Sequence, residues 1–147
     1  MLRRLVVLLA LAVLAAGCGG SSSATGEQLA ADGEKIMAWK DWVAPKITAR
    51  ADADQPCDGG SKRVFAATTG IAYAEADPDN RLDSLQTLVS DRFTEVGYTP
   101  ATAADQADRT DSRTLTWTKE GLTFTAVLTP GAGDEVAVQV KGETACG

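Results

Sequence analysis

The sequence predicts an α+β domain in which two helices lie on one face of a four-stranded antiparallel sheet, with elements in the order α-β-α-β-β-β. Three observations carry that expectation. Two stretches place apolar residues at helical spacing, the final third alternates apolar and polar residues, and a Glu120-Gly121 step separates two of the alternating runs.

The first helix is expected from residue 27, where Leu29, Ile36, Trp39, Val43 and Ile47 fall three, four or seven apart with charged residues between them. Gly33 weakens it, and Pro45 should kink or end it. Residues 51–61 (ADADQPCDGGS) read as a turn-rich linker. Residues 64–73, rich in Val, Phe, Thr, Ile and Tyr, read as the first strand, with a bulge at Gly70. The second helix has Asp77 as its N-cap, Pro78 at its first position, Gly97 at its C-cap and Pro100 beyond. Its apolar seam is Leu82, Leu85, Val89, Phe93 and Val96. Residues 99–113 are polar, carry Asp105, Asp108 and Asp111, and are expected to form a long loop.

In the final third the register follows from treating Glu120-Gly121 as a two-residue hairpin turn. Trp117 then faces Phe124 and Leu115 faces Ala126, while on the other face Thr116 meets Thr125 and Thr118 meets Thr123. A one-residue slip would mix apolar with polar partners, so agreement on both faces supports this register. Residues 130–134 (PGAGD) make the next turn, after which Val136, Val138 and Val140 are expected opposite Leu128, Ala126 and Phe124.

Composition limits what such a domain does. The chain has 147 residues, 44% hydrophobic and 23% charged, which fits one globular domain and excludes a polytopic membrane protein or a wholly disordered one. The formal charge is -6; without Arg3 and Arg4 the basic residues fall from 14 to 12 against 20 acidic ones, a net charge of -8. That surface repels phosphate backbones, so no nucleic-acid partner is expected. Histidine is absent, which removes the commonest general base and metal ligand.

The N-terminus has its own pattern. Arg3 and Arg4 precede an unbroken apolar run over residues 5–16, and small residues lead into Cys18, the layout of a secretory signal. A spanning helix needs about 20 apolar residues, so this run is too short to stay in the bilayer as an anchor. Leu14-Ala15-Ala16-Gly17-Cys18 resembles a bacterial lipobox, although Ala15 stands where a branched aliphatic residue is usual. The resemblance implies cleavage after residue 17, a diacylglycerol on the Cys18 sulfur, and a protein held on the outer face of the cytoplasmic membrane by more than one acyl chain, as stable anchoring requires. Residues 1–17 are then the signal peptide, 18–26 the lipidated cysteine with a Gly/Ser tether, and 27–147 the domain. As random coil the tether GGSSSATG has a reach of roughly 15 Å.

Lipidation of Cys18 also resolves the cysteine arithmetic, since three cysteines would then leave Cys57 and Cys146 as a disulfide pair. Their Cα atoms must approach within about 7 Å, which makes the first and last strands of the predicted sheet antiparallel neighbours. Together with the Trp-bearing first helix, Cys57 in a glycine turn, and the closing strands LTFTAVLTP and EVAVQVKGETAC, the leader resembles that of small actinobacterial cell-envelope lipoproteins. That resemblance implies location more than chemistry.

Motifs for catalysis or cofactors do not assemble. Asp52, Asp54, Asp58 and Gly59 suggest a calcium loop, but Pro56 and Cys57 occupy the positions that need an oxygen ligand and a glycine. Cys57 and Cys146 lack Cys-x-x-Cys spacing, Ser84 and Ser90 lack a Ser-x-x-Lys partner, and Gly131 to Gly133 runs into Asp134 and Glu135 rather than a phosphate-binding helix. No metal, cofactor or catalytic residue is therefore expected. The expectation is a monomeric, non-enzymatic module that binds an envelope protein or small ligand, with Trp42 and the threonines Thr116, Thr118, Thr123 and Thr125 as its candidate contacts. The alternative is a carrier of an apolar or lipidic ligand between helices and sheet, which needs a cavity of several hundred Å³.

Overall fold

The computed structural model describes residues 21–73, 81–101, 112–131 and 133–147. The leader, Cys18, Asp77, Pro78, Asp105, Asp108 and Asp111 lie outside the described residues. The fold consists of α1 (Ser21–Met37), β1 (Trp42–Cys57), β2 (Gly60–Ala72), α2 (Arg81–Glu95), β3 (Thr99–Pro100), β4 (Arg113–Lys119), β5 (Leu122–Pro130) and β6 (Glu135–Thr144). All strand pairs are antiparallel, in the order β1-β2-β6-β5-β4-β3. The sheet therefore has six strands where four were expected, and the described order is α-β-β-α-β-β-β-β.

The largest correction is β1. Residues 42–57, expected to finish the first helix and form a linker, instead make a long edge strand against β2. The helix stops at Met37 because its last carbonyls find better partners than a further turn. The indole N–H of Trp42 donates to the Ile36 carbonyl at 2.8 Å, and the Arg92 guanidinium donates to the Lys35 carbonyl. Beyond Trp42 the strand survives irregular chemistry because it is an edge. Pro45 is tolerated there, and three register shifts absorb residues that do not alternate, with Ala44 (φ 47°) and Ala51 (φ 60°) in left-handed conformations at two of them. The bulge lies on β1, at Ala44 and Pro45 opposite Thr69, and not in the strand that carries Gly70.

At its other end α1 begins at Ser21, so residues 21–26 of the expected tether are helical. Gly26 and Gly33 set the helix close against the sheet. A Cβ on Gly33 would lie 2.6 Å from the Phe65 ring, and one on Gly26 would lie 2.9 Å from the Arg63 side chain. The second helix closes as expected. Gly97 has φ 95°, its N–H bonds to the Thr94 carbonyl, and the Tyr98 N–H reaches back to the Phe93 carbonyl, a Schellman arrangement that turns Tyr98 inward. After it, Thr99 and Pro100 pair with Thr118 and Trp117, so the expected loop begins with a short edge strand.

The β4–β5 hairpin has the expected register, with Trp117 opposite Phe124, Leu115 opposite Ala126, Thr116 opposite Thr125 and Thr118 opposite Thr123. Both turn residues have positive φ, Glu120 at 47° and Gly121 at 83°, as a type I′ turn requires. Between β5 and β6 the register lies two residues from expectation: Val136, Val138 and Val140 face Pro130, Leu128 and Ala126, and Phe124 faces Gly142. A two-residue slip keeps every side chain on its face, and alternation alone cannot detect it. Packing explains the observed choice. A Cβ at Gly142 would lie 2.5 Å from the Phe124 ring and 2.8 Å from Leu29, so the glycine makes room for both.

Inward-facing residues of β2, β4, β5 and β6 form one core with α1 and α2. It contains Leu29, Ile36, Phe65, Leu85, Val89, Phe93, Tyr98, Trp117 and Phe124, all buried. Phe93 of α2 stacks on Trp117 of β4 with centroids 4.0 Å apart and planes 2° from parallel, and Tyr98 meets Phe124 edge-on at 5.1 Å. The expected antiparallel pairing of the strand after Cys57 with the strand before Cys146 is present as β2 against β6. The Cys57–Cys146 disulfide joins them with Cα atoms 6.1 Å apart.

Candidate functional site

Side chains that alternate away from the core make the second face of the sheet. The pairing places Thr114, Thr116 and Thr118 of β4 beside Val127, Thr125 and Thr123 of β5, and those beside Gln139, Lys141 and Glu143 of β6. Val64, Ala66 and Thr68 of β2 continue the same rows. The candidate residues Thr116, Thr118, Thr123 and Thr125 are thus brought together as two adjacent cross-strand pairs. Thr118 is exposed, and the other three are half-buried among their neighbours in the sheet.

One ion cluster crosses this face. The Glu143 carboxylate accepts from Lys62 at 2.5 Å and pairs with Lys141 at 2.8 Å. Burial alone would raise the Glu143 carboxyl, but hydrogen bonds and charge from Lys141 and Lys62 outweigh it and hold the group below its ordinary value. With Lys46 at the β1 edge opposite Thr68 and Glu135 beside Gly70, the described face carries the ammonium groups of Lys46, Lys62 and Lys141 against the carboxylates of Glu135 and Glu143, in a chain whose total charge is negative. Its threonine side chains are short, and no aromatic residue stands on it among the described residues. Such a surface suits a flat partner held by hydrogen bonds and ammonium groups rather than an apolar ligand.

Trp42 does not join this face. It was expected slightly off the helical seam and available to a partner, but it is the first residue of β1, 6% exposed, with its N–H spent on Ile36 and its ring edge-on to Trp39 at 4.8 Å. The helical period that placed it at the surface ends five residues earlier. Ser90 is also committed, accepting from the Trp117 indole at 3.2 Å, and Asp54 pairs with Arg63 at 2.6 Å. No group of three or more potential metal ligands occurs among the described residues.

A second polar cluster, unanticipated, lies on the covered side. Asp32 of α1 is 0% exposed, and its carboxylate accepts from Gln28 at 2.7 Å, from the Tyr98 hydroxyl at 3.1 Å and from the Lys119 ammonium at 2.9 Å. Lys119 also donates to the Val96 carbonyl at 3.1 Å and lies 5.2 Å from the Tyr98 ring centroid. Burial, the Asp32 charge and the hydrogen bond to Asp32 together push the Tyr98 phenol well above its ordinary value of 10.0. Every donor here has an acceptor, so the arrangement ties α1, the turn after α2 and β4 together. The signal for it was present: Asp32 sits three residues after Leu29 and four before Ile36, on the seam, and Lys119 continues the inward alternation of Leu115 and Trp117.

No protein-family model, no curated protein and no solved structure matches the chain.

Proposed function

We propose that the chain is a lipid-anchored protein of the cell envelope, attached through Cys18 to the outer face of the cytoplasmic membrane, whose domain is a non-enzymatic interaction module. The observation that carries the binding part is the asymmetry of the sheet. One face is filled by two helices, and the other presents short hydroxyl side chains and ammonium groups across four or more strands. For location, the support is the pattern of leader and cysteine, and no described helix is long and apolar enough to cross a membrane itself. The carrier reading has less support. The layer between helices and sheet, where a ligand would lie, is occupied by Phe65, Phe93, Tyr98, Trp117 and Phe124 in a connected set of ring contacts.

The anchor is tested by intact mass of the protein extracted from its native membrane, with and without reduction. The expected result is a diacylated N-terminal Cys18, a two-hydrogen gain on reduction, and release into the soluble fraction on Cys18→Ser. A soluble native protein with unmodified Cys18 would remove the lipoprotein reading.

A further inference from the structure

We infer that the domain stands on the membrane on its disulfide end, held there by a short link, with the Trp39–Trp42 end directed away. This rests on the lipid-anchor reading and adds the posture that the fold imposes on it.

The argument begins with the length of chain between anchor and fold. Because Ser21 already belongs to α1, at most Gly19 and Gly20 separate the helix from Cys18, and three residue steps span at most about 10 Å. The anchor therefore cannot wander to an arbitrary side of a domain whose sheet is about 30 Å long, taking β6 from Glu135 to Thr144 at strand rise. It must lie close to wherever α1 begins.

Contacts along α1 fix that place. Gly33 lies against Phe65, Leu29 against Gly142, and Gly26 against Arg63 and the Ala51 carbonyl, so the helix advances toward the sheet end that holds the start of β2 and the end of β6 as it is followed back to its N-terminus. From Gly26 to Ser21 the helix continues for about 7.5 Å in the same direction. That end of the sheet carries Cys57 and Cys146, the paired backbones of Ser61 and Gly147, and the Glu120-Gly121 turn, whose Gly121 carbonyl accepts from Ala145. The opposite end carries the α1–β1 turn at Lys40 and Asp41, the Trp39–Trp42 pair, and Tyr73, whose N–H bonds to the Asp134 carbonyl.

Charge argues that the link, not attraction, sets this posture. Glu27, Asp52, Asp54, Asp58, Glu120 and Glu143 lie toward the disulfide end against Lys62, Arg63, Lys119 and Lys141, so an anionic surface would not draw this end down. The lipid on Cys18 does so by connectivity. The strands then run roughly along the membrane normal, and the open threonine face is presented sideways, free for a partner standing on the same membrane.

The test uses the full acylated chain in phosphatidylcholine vesicles that carry a fluorescent acceptor on a small fraction of headgroups. Donor dye is placed by Thr118→Cys, an exposed site beside the Glu120-Gly121 turn, or by Asp41→Cys, an exposed site at the far turn, with the native disulfide left oxidised. Energy transfer from the Thr118 site should exceed that from the Asp41 site several-fold, and inserting eight Gly/Ser residues between Gly20 and Ser21 should erase the difference. Equal or reversed transfer in protein whose mass shows acylation at Cys18 would overturn the posture while leaving the anchor intact. A difference that survives the insertion would overturn the short link as its cause. Protein from its native membrane whose mass shows an unacylated Cys18 would overturn the anchor, and the posture with it.

Discussion

The two faces of the sheet share one backbone and differ in nearly everything else. On the covered face the polar groups are few, the buried Asp32 carboxylate accepts from Gln28, Tyr98 and Lys119, and the neighbouring space is filled by rings. On the open face the polar groups are many, the threonines among them short, and the ion cluster Lys62–Glu143–Lys141 remains in contact with solvent. Substitutions on the first face should therefore register as stability, and on the second as association. That separation would let the proposed binding surface vary without disturbing the core.

The largest effects that would test this contrast are on stability. Reducing the Cys57–Cys146 bridge, which spans 89 residues, should cost about 4 to 5 kcal/mol on the chain-entropy argument, less any native strain relieved. Phe93→Ala, which removes the ring stacked on Trp117, should cost about 3 to 5 kcal/mol. Urea unfolding measures both. Asp32→Ala leaves the Tyr98 hydroxyl without its acceptor and the Lys119 ammonium with only the Val96 carbonyl, and should also cost about 3 to 5 kcal/mol, as breaking one partner of a buried pair does. A loss below 1 kcal/mol, an order-of-magnitude threshold of about the value of an exposed pair, would mean that the cluster is not a structural tie.

Legibility in the sequence followed the regularity of the interactions. The β4–β5 hairpin was readable to the residue because a turn that demands positive φ sits between two strictly alternating runs. The β5–β6 register was readable only in its face, because what selects Gly142 opposite Phe124 is the room it leaves for Leu29, a contact from a distant helix. The edge strand β1 was unreadable. Its bulges at Ala44 and Ala51 break the period of two, and Trp39, Val43 and Ile47 by coincidence continue a helical spacing that the caps on Lys35 and Ile36 end. Of the candidate site, the threonine pairs were legible and Trp42 was misplaced by the same false helix. Asp32 and Lys119 were visible as charges at inward positions, but their pairing depended on the path of the chain between them.

Smaller effects sharpen the contrast through pH. Because the fold raises the Tyr98 phenol, the native state keeps its proton above pH 10 while the unfolded chain releases it, so stability falls as pH rises beyond that value. The slope should reach about 1.4 kcal/mol per pH unit for this one group, and Tyr98→Phe should abolish it. Glu143 acts in the opposite sense and more weakly. Its lowered carboxyl contributes stability above the ordinary value of 4.5 that is lost as pH falls through the native value, by at most about 1 kcal/mol for a pair this open to solvent. Smallest of all in stability should be the single substitution Thr116→Arg, within about 0.5 kcal/mol of the parent, although it should abolish association through the open face.

The most direct measurement is photocrosslinking in the native membrane. A photoreactive phenylalanine derivative is placed at Thr125 on the open face or at Asp91, an exposed position on α2, in otherwise identical acylated protein. Illumination should give a discrete adduct heavier than the monomer from Thr125, lost on Thr116→Arg, and none from Asp91. Adducts of equal yield from both positions, or from Asp91 alone, would contradict the assignment of the open sheet face as the binding surface.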